Sequence, residues 1–503
     1  FRRMGYKAYG VGKLFHDFVP QTAFSPENGA YFPDDYNQEW GQKKKQTSPE
    51  PGKNEEWTER DLRERDASYS GCDDVTVMKG GNWDNEACFR NGFVYVEDRH
   101  PLHFFDARVA ELAVGTLKKH EAPFILGVGF HDPHFKWHMP LDLWSLYSNE
   151  TKIKPPRQVV PVKGTPLHSV GDFNLGNVQM HDGREFVSPM KSSRQDMRRE
   201  KLADEAAVEM RRAYSAAVSH VDRNFGRLLD ALKEEGVEGS TLVVFTADHG
   251  MGLGEASHWG KGSVQEVDAR VPLIVHDPSH PQSHGQRSSQ LVELLDIYPS
   301  LVDLAGPKGQ YKKELYAWSW GQSWRPILER RRQKTKKEFA LTIITACYYP
   351  NEHAGRFAGG CCRGRSFSWA KHVDKQYGPK APLVGFGVRT TRWRYVAWLL
   401  YDSKEDDVDW SSQPYSEELY NFGSPLDPTR PDFDAWTELG NLLYPTPHSG
   451  KHRDEANRHL QLLRRSLQQR NRDQGEWGRW KIVKDKQSMD SFPNFSIPFH
   501  HTD

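Results

Sequence analysis

The chain has 503 residues, enough for one large domain and a smaller companion. Lys+Arg and Asp+Glu each number 68, so the formal net charge is zero and no bulk attraction to nucleic acid or to an anionic membrane follows. Mean hydropathy is low at -0.78, and no apolar run approaches the ~18 residues of a spanning helix, yet distinct apolar segments exclude wholesale disorder.

In chain order, "FRRMGYKAYGVGKLFH" opens on Phe1 and reads as the interior of a domain, with no signal peptide in view. Residues 41–66 are polar and read as a loop or insertion. A helix is expected over 106–119, then a strand over "PFILGVGF" (123–130). After polar residues 187–205 comes a long helix. Met210, Tyr214, Val218, Val221, Phe225, Leu228, Leu229 and Leu232 fall on one face of it, and Gly236 supplies the stop. "LVVFT" (242–246) and "VPLIV" (271–275) are apolar without alternation, as strands buried on both faces should be. With a further helix over 291–306, the alternation predicts an α/β fold, a mainly parallel sheet sandwiched by helices.

Beyond about residue 310 the pattern changes, which divides the chain into a domain over 1–310 and a C-terminal subdomain over 311–503. "ERRRQKTKKE" (329–338) reads as a solvated loop. "GVRTTRWRYVAWLL" (387–400) has period-two character and reads as a half-exposed antiparallel strand. Residues 402–415 form another polar loop, and 451–474 a charged helix with Leu460, Leu463 and Leu467 on one side.

The five cysteines are Cys72, Cys88, Cys347, Cys361 and Cys362, and they contain no C-x-x-C pair, which argues against zinc. Cys72 with Cys88, and Cys347 with one of the vicinal pair, would close short loops in an oxidising compartment. Buried free thiols of a cytosolic protein are the other reading. Sequons at Asn149 and Asn494 lean toward the first.

Chemistry concentrates at the strand ends, where ligands collect in an α/β sheet. "TADHGMGLGEASHWGKG" (246–262) follows an apolar strand and offers Asp248, a hard oxygen ligand suited to calcium or magnesium, beside His249. Taken alone, "DHG" is as readily a polar turn. "FHDPHFKWHMP" brings His131, Asp132, His134 and His138 to a second strand end, and "YGVGKLFH" adds Lys13 and His16. Lysines, histidines and a carboxylate gathered from three segments suit an anionic substrate.

These segments together resemble the sulfatase family, within its iduronate-2-sulfatase branch. "ADHGMGLGEASHWGKGSVQEVDARVPLIV" is similar to the second signature region, "YGVGKLFH" to the G-K-x-x-H segment and "HDPHFKW" to the P-H segment. The similarity runs from Phe1 to about Gly306 and is loose in "GVRTTRWRYVAW" and "EELYNFGSPLDP". It implies an alkaline-phosphatase-like fold and a formylglycine nucleophile whose hydrate attacks sulfur, releases the alcohol and then expels sulfate. By the same resemblance Asp248 and His249 would bind one calcium ion, Lys261 a sulfate oxygen, and His134 would protonate the leaving alcohol. Lys13 and His16 would support the formylglycine. The substrate implied is a sulfated sugar, 2-O-sulfated iduronate of heparan or dermatan sulfate, with His131 and Arg389 (near Lys380 and Pro382) on the substrate. The location implied is lysosomal or secreted, and the partner a formylglycine-generating enzyme.

The pattern breaks at the nucleophile. The family's C-x-P-S-R segment is absent, as are the paired aspartates of the first strand, and "CCRGR" at Cys361 matches only cysteine and arginine. The expectation is therefore a chain truncated before Phe1, with its catalytic domain lacking the nucleophile segment and inactive as it stands. The alternatives are a glycan-binding homologue without chemistry and a phosphoesterase of the wider superfamily. Met251 where the branch has tryptophan, and His258 where it has an acid, weaken the case for iduronate in particular.

Overall fold

The apolar runs form strands, which among the described residues fall into separate sheets. β1 (Lys7–Gly12), β2 (Gly92–Glu97), helix α1 (Phe105–Lys118) and β3 (Phe124–Gly129) come first. β1 and β3 are parallel neighbours, from Lys7 opposite Phe124 to Gly12 opposite Gly129. Helix α1 covers them by packing Val109 and Ala113 against Val11. β4 (Trp137–Pro140) runs parallel to β2 and leads into the short helix α2 (Leu141–Ser145). The two-residue strands β5 (Phe173–Asn174), β6 (Val178–Gln179) and β7 (Glu185–Phe186) follow, with β6 and β7 extending the β4–β2 sheet. The computed structural model describes residues 1, 4–14, 92–97, 100–134, 137–148, 153–156, 164–166, 169, 173–174, 178–179, 185–186, 202–306, 320–329, 337–348, 381–402, 407–408, 410, 412–422, 441–443, 450 and 452–473.

Helix α3 (Asp204–Glu234) is the long helix read from the sequence, and Gly236, at φ +67°, takes the left-handed turn that ends it. Met210, Val221, Leu228 and Leu232 of the expected face are buried, and the buried surface extends further to a run of alanines. Ala207, Ala213, Ala216 and Ala217 are fully covered, because small side chains let Trp137, Trp144 and Trp259 approach the helix. Val218 and Leu229, expected in the core, are 43% and 41% exposed.

After α3 come β8 (Val243–Thr246), β9 (Gly252–Leu253), β10 (Trp259–Lys261), the one-turn helix α4 (Glu266–Ala269), β11 (Leu273–His276) and α5 (Ile297–Ala305). β8 pairs with β11, and the pairing is antiparallel, where the sequence reading expected a parallel neighbour. Among the described residues β3 pairs only with β1 and β8 only with β11. Both strands are half-buried along their whole length although their residues are apolar. Between them lies a cleft of about 2150 Å³, bounded also by Val218 and Phe225 of α3 and Leu301 of α5. That cleft is why the apolar face of α3 stays partly open.

The C-terminal part begins with α6 (Arg325–Leu328) and builds an antiparallel sheet from β12 (Ala340–Tyr348), β13 (Ala381–Arg389), β14 (Trp393–Asp402), β15 (Asp407–Val408) and β16 (Ser416–Asn421). Helix α7 (Arg453–Asp473) covers one face, with Leu460, Leu463 and Leu467 packed on Tyr395, Ala397 and Leu399. The other face meets Val264 through Leu383, Val396 and Trp398. Residues 387–400 are thus a hairpin with both faces covered rather than one half-exposed strand. Cys72, Cys88, Cys361, Cys362, both sequons and residues 41–66 lie outside the described residues.

Candidate active site

Three strand ends meet at one rim of the cleft. Lys13 follows β1, and its N–H donates to the Gly129 carbonyl at 2.7 Å. A Cβ on Gly129 would stand 2.0 Å from the Lys13 carbonyl oxygen, so glycine is what allows the two strand ends to touch backbone to backbone. His131, Asp132 and His134 form the turn after β3, closed by His134 N–H donating to the His131 carbonyl at 2.9 Å. The rings of His131 and His134 lie 4.8 Å apart. Beneath this turn Asp106, in the first turn of α1, accepts the backbone N–H groups of His131 and Asp132, each at 2.8 Å.

The third strand end carries Asp248 and His249 after β8, and β10 brings Lys261 beside them. Their loop is pinned by buried Asp268. Its Oδ2 accepts from Ser263 N–H at 2.8 Å and Ser263 Oγ at 2.7 Å, and His258 Nε2 lies 2.9 Å from it. Its carbonyl accepts from Gly250 N–H at 2.7 Å. Asp268 therefore holds both flanks of Lys261 while leaving that side chain to the cleft rim.

Lys261 Nζ donates to His249 Nε2 at 3.2 Å, and His249 Nδ1 donates to the Gly250 carbonyl at 2.9 Å. This network assigns a neutral imidazole with its proton on Nδ1. Burial and the Lys261 ammonium lower the His249 pKa. Burial, then Lys13, then Lys261 push His131 down to about 3. Lys13, His131, His249 and Lys261 thus share one electrostatic neighbourhood in which the lysines hold the charge and the imidazoles stay neutral. A tetrahedral oxyanion is the natural complement of such a group.

The structure brings together Lys13, His131, His134, Asp248, His249 and Lys261, all of which line the cleft. His16 lies outside the described residues. His138 sits in β4 against the Phe104 ring, 4.8 Å away. Arg389, expected on the substrate, is placed away from the cleft rim. Its Nε donates to Glu266 at 2.7 Å, its guanidinium stacks 4.1 Å over Phe422, and it does not line the cleft. The register of the β13–β14 hairpin sets it opposite the acidic helix α4, so it ties the C-terminal sheet to the active-site loop.

The expected calcium site does not assemble from these residues. Asp248 is 73% exposed, and His249 Nε2, the nitrogen a metal would need, accepts from the Lys261 ammonium. Among the described residues no group of three His, Cys, Asp or Glu could hold a metal, and calcium asks for six to eight oxygens. Three structural residues were not singled out from the sequence: Asp106, Asp268 and His220, whose Nδ1 lies 2.9 Å from Asp132 Oδ2. Position at the start of the 106–119 helix was the available signal for Asp106. His220, set among apolar residues on a helix face, was an anomaly of the same kind.

The Sulfatase family model matches residues 1–307. The chain is 26% identical over 363 residues to a sulfatase of Formosa agariphila, covering 71% of this chain and 59% of that protein. It is 26% identical over 342 residues to iduronate 2-sulfatase of Homo sapiens, covering 63% of this chain and 59% of that enzyme. It therefore spans about three fifths of the length of these relatives. The crystal structure of a phosphonate monoester hydrolase of Agrobacterium radiobacter superposes with a TM-score of 0.53 at 17% identity, covering 93% of this chain and 79% of that one. The fold is alkaline-phosphatase-like, with a C-terminal antiparallel sheet, and the chain belongs to the sulfatase family.

Proposed function

We propose that this cleft is the site of sulfate-ester hydrolysis on a sulfated carbohydrate, and that the ester is the 2-O-sulfate of iduronate in a glycosaminoglycan such as heparan or dermatan sulfate. The observation that carries the reading is the convergence of Lys13 and Lys261 on neutral His131 and His249 at three strand ends. The finer substrate rests on likeness to iduronate 2-sulfatase.

In this reading the two ammonium groups hold the sulfate oxygens and take up charge as the sulfur–oxygen bond breaks. His131 and His134 stand side by side at the rim, and His134 gives its proton to the departing alcohol oxygen. Lys13 and His16 support expulsion of sulfate. The nucleophile is a formylglycine made by a formylglycine-generating enzyme, and none of the five cysteines of residues 1–503 stands in a C-x-P-S-R sequence. Calcium is reduced to a weak guest of Asp248, and no step runs through it. No described helix is long and apolar enough to cross a membrane. A lysosomal or secreted location is part of the same proposal.

Calorimetric titration with a 2-O-sulfated iduronate disaccharide and its unsulfated counterpart tests this. The sulfated sugar should bind selectively, and Lys261→Ala should weaken it at least ~10-fold, the scale of one charge-assisted hydrogen bond. Equal binding of the two sugars, or a Lys261→Ala variant that binds like the wild type, would refute the assignment. Preference for a 6-O-sulfated sugar would refute only the iduronate level.

A further inference from the structure

The turn that carries His131 and His134 is gripped from inside the protein at two points. Asp106 takes its backbone, accepting from His131 N–H and Asp132 N–H. His220, on α3, takes its one acidic side chain: Nδ1 lies 2.9 Å from Asp132 Oδ2, and the two side chains are 2% and 9% exposed. The His220 ring is itself set, edge-on to Phe104 at 5.5 Å, and its carbonyl accepts from Asn224 Nδ2 at 3.0 Å. Burial pushes Asp106 up to about 7 and His220 down to about 4, so at neutral pH a neutral ring meets Asp132 through a single proton.

Core stability gives little reason for this arrangement. Apart from Asn224 the surrounding buried residues of α3 are alanine, methionine and valine, and apolar side chains at 106, 132 and 220 together would pack there without desolvating two carboxylates and an imidazole. Those polar groups converge instead on the tetrapeptide that presents two imidazoles to the cleft. Asp132 is the residue between those imidazoles that reaches both the cleft wall and the buried side.

We propose that His220 is a positioning residue for the sulfate site: through Asp132 it fixes the turn that aims His131 and His134 at the bound sulfate. This rests on the sulfate-site reading above. His220 does not touch the ligand. It sets an angle, and a displacement of about 1 Å at a site of this kind costs up to ~100-fold.

The test uses residues 1–503 and inorganic sulfate as the probe, with affinity read by calorimetry and histidine ring signals by NMR. His220→Leu keeps the volume and removes the ring nitrogens. It should weaken sulfate about 10-fold and move the His131 and His134 signals. His220→Asn, whose amide can reach Asp132, should stay within about 3-fold of wild type, a rescue that a purely packing role would not give. In the wild type, saturation with sulfate should shift the buried His220 ring signals, a readout that needs no variant and stands even if His220→Leu does not fold. The proposal is overturned if His220→Leu binds like wild type, if Leu and Asn lose affinity equally, or if the His220 signals ignore sulfate. Lys261→Ala separates the two levels. If it loses sulfate while His220→Leu does not, only the positioning role fails. If it retains sulfate, the site itself is wrong and the positioning role falls with it.

Discussion

His131 shows how far a single side chain can be moved by its neighbours. Its ordinary pKa of 6.5 falls to about 3 because burial and two ammonium groups all disfavour a further positive charge. The unfolded chain therefore takes up a proton below pH 6.5 that the folded chain refuses. The group's contribution to stability is in place above 6.5 and is lost as pH falls toward about 3. Asp106 works in the opposite sense. Raised from 3.8 to about 7, it contributes below 3.8 and loses that contribution as pH rises through 7. The two offset one another at mildly acid pH, so the whole-protein profile hides both. Comparing wild type with His131→Asn isolates the first. The melting-temperature advantage of the wild type should shrink between about pH 8 and about pH 5. A gap that stays constant or widens on acidification would mean that burial and the two lysines do not hold His131 neutral. At this scale the placement of Lys13, His131, His134, Asp248, His249 and Lys261 along one cleft is foreshadowed in the sequence, because each lies in a short motif at a strand end. That of Asp106, His220 and Asp268 is not, because their partners stand 26, 88 and 10 positions away in sequence.

The element that matters most to the site is the loop from β8 through β10 to α4, and its order comes from one buried carboxylate. Asp268, with a side chain only 3% exposed, gathers His258 Nε2, Ser263 N–H and Ser263 Oγ. Removing one partner from such a buried cluster strands the others and costs about 3–5 kcal/mol. Asp268→Ala should therefore lower the melting temperature by several degrees, whereas Asp248→Ala, at an exposed carboxylate, should change stability by no more than about 0.5 kcal/mol. Thermal melts of the two variants side by side check this, and similar losses in both would contradict it. Helix α7 was legible in the period of Leu460, Leu463 and Leu467, and α3 in its length and its glycine stop. The alanine part of the buried face of α3 is not legible because alanine carries little hydrophobic signal, although it is what lets Trp137 and Trp259 close on the helix. The β13–β14 hairpin was read as one strand because residues 390–392 contain neither glycine nor proline.

Over the whole molecule, the α/β class was legible and the sheet order was not, since strand neighbours are set by contacts that no local pattern records. The pairs β1–β3 and β8–β11 stand on either side of the cleft, and their strand ends deliver Lys13, His131 and His249 to its rim, where β10 adds Lys261. The central claim is that the lysines and imidazoles at the cleft rim bind a sulfate ester and move its protons, while no cysteine of residues 1–503 stands in the C-x-P-S-R sequence that would supply a formylglycine. Binding and charge stabilisation without a nucleophile leave roughly 1,000-fold catalysis over water, below what an assay of a sulfate ester detects. The direct measurement is sulfate release from a 2-O-sulfated iduronate disaccharide. One arm uses residues 1–503 alone, and the other uses the same chain joined to a C-x-P-S-R segment and coexpressed with a formylglycine-generating enzyme. The account predicts no detectable release from the first and steady turnover from the second. Robust turnover by residues 1–503 alone would contradict it.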